Sequence, residues 1–165
     1  MTRKTRIFLV DDDPIFRLLT KKTIANTGIN AEVVEFVNGQ QALEFIEQHM
    51  DHPAILPDTI FLDLNMPVLD GWGFLREYEI LLPFIRKASK LYILSSSMSP
   101  IDVERAANIP FVKEYLVKPL NKLQLAALIT TDAQVSYDTV NVGKMVQGHN
   151  GYKSATGVVA SHSWG

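Results

Sequence analysis

Ile7-Phe8-Leu9-Val10-Asp11-Asp12-Asp13-Pro14 (IFLVDDDP) is an apolar run that stops at three aspartates and a proline. Four apolar residues, three of them aromatic or β-branched, predict a short buried strand. Pro14 suits the first turn of a helix, where a missing N–H costs nothing. Ile15, Leu18, Leu19 and Ile24 follow at helical spacing as an apolar stripe, and Asn26-Thr27-Gly28 reads as the stop. The unit is therefore strand, acidic end, helix.

The same unit recurs along the chain. Glu32 to Val37 predicts a second strand, Asn38-Gly39 a turn, and Ala42, Leu43, Phe45 and Ile46 one helix stripe. His52 to Pro57, with two prolines, reads as a loop. Thr59 to Leu64 (TIFLDL) predicts a third strand, interrupted near its end by Asp63, and Gly71 to Leu82 a helix. Leu91 to Leu94 (LYIL) predicts a fourth strand ending in Ser95-Ser96-Ser97, then a short helix over Pro100 to Asn108. Val112 to Val117 predicts a fifth strand ending at Lys118-Pro119, and Leu120 to Ile129 a closing helix. Five such alternations imply an α/β fold: a parallel sheet covered by helices on both faces, with right-handed crossovers.

The totals narrow the function. The chain has 165 residues, 47% hydrophobic and 21% charged, a composition suited to one globular domain with an appendage. A net charge of −2 argues against a nucleic-acid binder. Zero cysteines exclude disulfides, Fe–S ligation and thiol catalysis. The basic start, Met1 to Arg6, leads into too short an apolar run for a signal peptide, and no run is long enough to span a bilayer. The expectation is a soluble, cytoplasmic protein with no membrane or nucleic-acid partner. After Ile129 the composition shifts: residues 130–165 hold five of the nine glycines and only four charged side chains. They are expected to form a Gly/Ser/Thr-rich tail with no independent core, with a short strand hinted at by Val135, Tyr137, Val140 and Val142. Residues 1–129 are expected to form the domain.

In an open parallel sheet, ligands bind beyond the carboxyl ends of the strands. Here those ends carry Asp11, Asp12 and Asp13, then Asp63, Ser95 and Ser96, and Lys118. Clustered carboxylates repel, and a hard divalent cation with oxygen ligands relieves that repulsion. Mg²⁺ suits a few carboxylates with retained waters and room for a phosphoryl oxygen. No Cys is present and no His lies near these ends, which argues against zinc or copper. Lys118 and Ser95 can hold other phosphoryl oxygens, and Asp63 is the candidate nucleophile because its strand presents it centrally. Asp13 reads as the helix N-cap. Arg17 is expected to be solvated or to hold Asp13. Trp72 is expected to pack at the start of its helix as a fluorescence reporter. His49, His52, His149 and His162 have no metal spacing and are expected in solvent.

Asp11-Asp12, Leu62-Asp63-Leu64-Asn65-Met66-Pro67 with Asp70-Gly71, Ser95-Ser96, and Tyr115-Leu116-Val117-Lys118-Pro119 resemble the receiver domain of two-component response regulators over roughly residues 6–129. The resemblance implies a flavodoxin-like, doubly wound sheet in the order 2-1-3-4-5. It implies that Asp63 is the phospho-acceptor. Asp11, Asp12, Asp63 and the Asn65 backbone carbonyl would organise Mg²⁺, and Lys118 would pair with the phosphoryl oxygens before a cis Pro119. It also implies Ser95, or its neighbour Ser96, as the switch hydroxyl and Tyr115 as the switch aromatic. Asn65 and Ser97 fall where the family sets the reset rate. The hydroxyl is Ser where the family more often has Thr. One extra residue between Ser95 and Lys118, relative to the chemotaxis member, is expected to alter helix four.

The implied function is a stand-alone response regulator. It takes a phosphoryl group from a histidine kinase or histidine phosphotransfer protein and passes the signal to a protein target. The target meets the face made by helix four, strand five and helix five, and a homodimer is among the outputs allowed. Catalysis is limited to self-phosphorylation and autodephosphorylation. Two rivals stand beside it. A haloacid-dehalogenase-like phosphatase would use Asp11 as nucleophile in an Asp11-x-Asp13 motif, but leaves Asp63 unexplained and needs a later acidic pair, where only Asp132 and Asp138 occur. A receiver-like adaptor would signal without phosphorylation.

Overall fold

The computed structural model describes residues 3–130; the expected tail strand, His149, His162, Asp132 and Asp138 lie outside the described residues. Strands β1 (Thr5–Val10), β2 (Ala31–Phe36), β3 (Thr59–Asp63), β4 (Lys90–Ser95) and β5 (Val112–Val117) alternate with helices. The helices are α1 (Pro14–Asn26), α2 (Gly39–Gln48), α3 (Gly71–Leu81), α4 (Pro100–Ala107) and α5 (Lys122–Thr130). A 3-10 turn, Leu82–Phe84, finishes α3, where the proline at position 83 ends regular hydrogen bonding. All strands are parallel, in the order β2-β1-β3-β4-β5.

Alternation of side chains splits the core in two. Phe8, Val10, Ile60, Leu62 and Ile93 face one layer with Ala42, Ile46, Phe74 and Leu75 from α2 and α3. Ile7, Leu9, Phe61, Tyr92 and Leu94 face the other with Ile24, Leu125 and Ile129 from α1 and α5. Strand β3, buried along its whole length, is the centre of both.

The stripe read on α1 is corrected. Ile24 is buried, but Ile15, Leu18 and Leu19 are 68%, 52% and 57% exposed. The covered row is Phe16, Thr20 and Ile24, spaced four apart, and the polar Thr20 masks it in an apolar count. His49 is half-buried rather than in solvent: its ring stacks on Phe45 at 4.3 Å between centroids, and Nδ1 lies 2.7 Å from the Phe45 carbonyl. His52 is exposed, as expected. α4 runs over Pro100–Ala107. β5 carries a bulge: Leu91 pairs with Val112 while Tyr92 pairs with Glu114, which leaves Lys113 unmatched.

Strand register sets the upper edge. Val10 lies opposite Leu62, so Asp11 and Asp63 emerge side by side one residue later. Asp63 lies opposite Leu94 and Ser95 opposite Val117, so each further strand delivers its polar residue one step on. At the lower edge Asp58, just before β3, is buried among cations. Its carboxylate accepts the Arg6 backbone N–H at 2.7 Å, pairs with Lys87 Nζ at 2.9 Å and bonds the Arg3 guanidinium. Burial pushes this carboxyl up, but the Arg6 N–H, Lys87 and Arg3 together hold it below the ordinary aspartate value.

Candidate functional site

Oxygens of Asp11, Asp12 and Asp63 lie within 4.8 Å of one another above the sheet. Asp11 and Asp63 are buried and Asp12 is exposed. Lys118 Nζ closes the group, 2.5 Å from Asp11 Oδ2 and 3.1 Å from Asp63 Oδ1. Lys118 reaches this point because its backbone N–H donates to the Ser95 carbonyl at 2.8 Å, tying the ends of β4 and β5 together. The following peptide bond, Lys118–Pro119, is cis.

Three carboxylates against one ammonium leave two formal negative charges in a partly desolvated space. Burial pushes the Asp63 carboxyl above the ordinary aspartate value; the Lys118 ammonium lowers it, and the neighbouring Asp11 charge raises it again. The Asn65 backbone N–H also donates to Asp63. The donor set is all oxygen, carries two uncompensated charges and has one carboxylate facing solvent, which fits a hard divalent cation that keeps water ligands. The acidic cluster can hold a metal ion.

Asp13 stands outside this group. Its Oδ1 accepts the backbone N–H groups of Ile15 at 2.8 Å and Phe16 at 3.2 Å, so it caps α1 as expected. Its own N–H donates to Asp11 Oδ1 at 2.9 Å, which uses Asp11's second oxygen. Arg17 is neither solvated nor bound to the Asp13 carboxylate. Nη1 donates to the Asp11 carbonyl at 2.5 Å, and Nε meets Glu35 Oε1 at 3.3 Å. Glu35 is held in turn by Lys21 at 2.6 Å. The acidic turn is thus fastened from α1 and β2 by pairs too distant in sequence to be read locally. The Phe16 ring was also unread; its centroid lies 4.3 Å from Lys118 Nζ. Its place in the first turn of α1, at the carboxyl edge, was the available signal.

Ser95 is buried and Ser96 exposed. Ser95 Oγ accepts the Ser97 N–H at 3.3 Å, and the Tyr115 hydroxyl donates to the Ser97 carbonyl at 2.8 Å. Ser95, Ser97 and Tyr115 therefore form one chain leading from the pocket to β5. Trp72 packs on the α3 side of the core with the Arg105 guanidinium 4.0 Å from its ring centroid, linking α3 to α4. Gly71 must be glycine here: a Cβ would lie 2.5 Å from the Asp63 carbonyl oxygen and 2.8 Å from Leu64 Cα. The start of α3 can therefore touch the end of β3.

The response regulator receiver domain matches residues 7–130. The chain belongs to the response regulator receiver family. The receiver is 30% identical over 114 residues to the chemotaxis protein CheY of Bacillus subtilis, covering 69% of this chain and 85% of that protein. A two-component response regulator from Cytophaga hutchinsonii has a similar structure, with TM-score 0.69, 27% identity, and 77% of this chain and 95% of that one covered. The phosphorylated cyanobacterial phytochrome response regulator RcpA gives TM-score 0.60 at 30% identity, covering 76% and 89%. Some other curated relatives are much longer. The receiver spans 21% of a protein-glutamate methylesterase/protein-glutamine glutaminase of Carboxydothermus hydrogenoformans and 44% of a probable transcriptional regulator, ycf27, of Guillardia theta. The expected flavodoxin-like order 2-1-3-4-5 is the one observed. Among the described residues, no helix is long and apolar enough to cross a membrane.

Proposed function

We propose that this receiver accepts a phosphoryl group on Asp63 from a phosphohistidine of a histidine kinase or histidine phosphotransfer protein, with Mg²⁺ bound beside it. The observation that carries the reading is Lys118 Nζ bridging Asp11 and Asp63 next to Asp12. Asp11, Asp12, Asp63 and the Asn65 backbone carbonyl would hold the cation, which supplies charge neutralisation at the phosphoryl oxygens. As a bond from an Asp63 carboxylate oxygen to phosphorus forms, the donor's P–N bond breaks. The donor imidazole, protonated at its other nitrogen, leaves neutral. Lys118 moves from the Asp63 carboxylate to a phosphoryl oxygen, and Ser95 Oγ donates to another.

Ser95 rather than Ser96 is the switch hydroxyl in this reading, because Ser95 is the buried one. A shift of Ser95 carries Ser97, and with it Tyr115, whose hydroxyl is bound to the Ser97 carbonyl. The face of α4, β5 and α5 then changes for a downstream protein or a second copy of the chain. Water attacking the acyl phosphate resets the state, with Asn65 and Ser97 beside its path. The reading includes a cytoplasmic location. The solved structure of the related RcpA is of a phosphorylated protein, which supports the acceptor role.

The phosphatase rival loses support because Asp13 is committed to capping α1. The adaptor rival loses support because Asp11, Asp12, Asp63 and Lys118 lie together at the carboxyl edge of the sheet. Incubation with acetyl phosphate and Mg²⁺ should add one phosphoryl group by intact mass to wild type and none to Asp63→Asn. Equal modification of both proteins overturns the assignment.

A further inference from the structure

The Lys118 ammonium has three N–H bonds, and two of its sides are taken by Asp11 Oδ2 and Asp63 Oδ1. The Phe16 ring lies over it, 4.3 Å away, while the lysine side chain is only 13% exposed. We propose that Phe16 is a positioning residue for phosphoryl recognition, its π face holding the Lys118 ammonium in the pocket while the ammonium exchanges Asp63 for a phosphoryl oxygen. The inference rests on the function proposed above and adds to it a residue from outside the polar constellation.

The physical need is specific. An ammonium that must change partners has to be loosely enough paired to move and yet kept out of bulk water. A third carboxylate would compete with the phosphoryl oxygens for its protons. A water would let it leave the pocket. An aromatic face attracts the cation without offering a lone pair, and the attraction grows where solvent is excluded. The ring is itself firmly placed: the Phe16 N–H is capped by Asp13 Oδ1 at 3.2 Å, and the adjacent Arg17 is pinned to the Asp11 carbonyl at 2.5 Å and to Glu35 at 3.3 Å.

Two substitutions separate the π face from mere volume. Phe16→Tyr keeps the ring and Phe16→Leu keeps apolar bulk without it; Phe16→Met replaces the leucine variant should its amide spectrum show a loss of fold. In the metal-free full chain, the Lys118 side-chain protons next to Nζ should be shifted upfield by the ring in wild type and Phe16→Tyr, and not in Phe16→Leu. With Mg²⁺ present, beryllofluoride titrated by NMR should bind Phe16→Leu roughly tenfold more weakly than wild type, with Phe16→Tyr within about twofold. Affinity for Mg²⁺ alone should be unchanged in both, because Phe16 meets the site through Lys118, which is not among the residues that would hold the cation. Wild-type binding of beryllofluoride that Phe16→Leu matches overturns the role of Phe16 and leaves the receiver function intact. Failure of wild type itself to bind beryllofluoride overturns the proposed function and this role together. Absence of the ring shift in wild type overturns the stacking.

Discussion

Two aspartates, Asp63 and Asp58, lie at opposite ends of β3, and their protons respond to folding in opposite senses. Asp63 has its acidity weakened by burial, so the folded chain binds that proton more tightly than the unfolded one. Its contribution to stability is therefore greatest below the ordinary value of 3.8 and falls as pH rises from there through the folded pKa. Metal-free Asp63→Asn should unfold at higher urea than wild type at neutral pH, and the gap should close as pH falls through that window. Saturating Mg²⁺ should close it at neutral pH too; a wild type that matches Asp63→Asn without metal contradicts this. Asp58 has the reverse sign. Its acidity is strengthened, so its stabilisation is present above 3.8 and is lost as pH falls through the lower folded value. Asp58→Asn should cost about 3 kcal/mol at neutral pH by stranding Lys87, measured by denaturant unfolding. Asp63 was legible in sequence because it interrupts an apolar run. Asp58 was not, since its partners Arg6 and Lys87 meet it only after the sheet has formed.

Elements were legible where one run of residues has one fate. β1, β3 and β4 are buried on both faces, so their apolar runs announced them, and the break in each run marked the edge where chemistry collects. α1 was legible as a helix and misread as a surface, because apolar spacing identifies the period without saying which of two adjacent rows is covered. The buried row contains Thr20, and the exposed row contains Ile15, Leu18 and Leu19. The junction of β3 and α3 shows how closely elements constrain the site. Gly71 donates its N–H to the Leu64 carbonyl at 2.9 Å and leaves no space for a methyl group against Asp63. Gly71→Ala should cost about 2–3 kcal/mol in urea unfolding by overpacking a backbone that has no room to yield. It should also weaken Mg²⁺ binding, as the displaced backbone is that of Asp63; unchanged metal affinity would separate the junction from the site.

At the scale of the whole described domain, the polar groups are divided between the two edges of one sheet. The upper edge gathers unbalanced carboxylates, and the lower edge holds Asp58 under three positively charged residues, one of them bonding through its backbone. Hydrogen exchange should follow this division. Amides of β3 should exchange most slowly, with and without beryllofluoride, while those of residues 64–70 and 95–99 should gain protection when it binds. Slower exchange in the loops than in β3 before any addition would contradict the division. Convergence of the upper residues was foreseeable from strand order alone, whereas the lower clamp required three-dimensional pairing. The clamp has a mechanical consequence. A strand only five residues long, Thr59–Asp63, is anchored at one end by charges the chain supplies for itself. Under the proposed function, a new charge at its other end would push against a fixed base, and the displacement would be steered outward into the loops instead of being spent in sliding the strand.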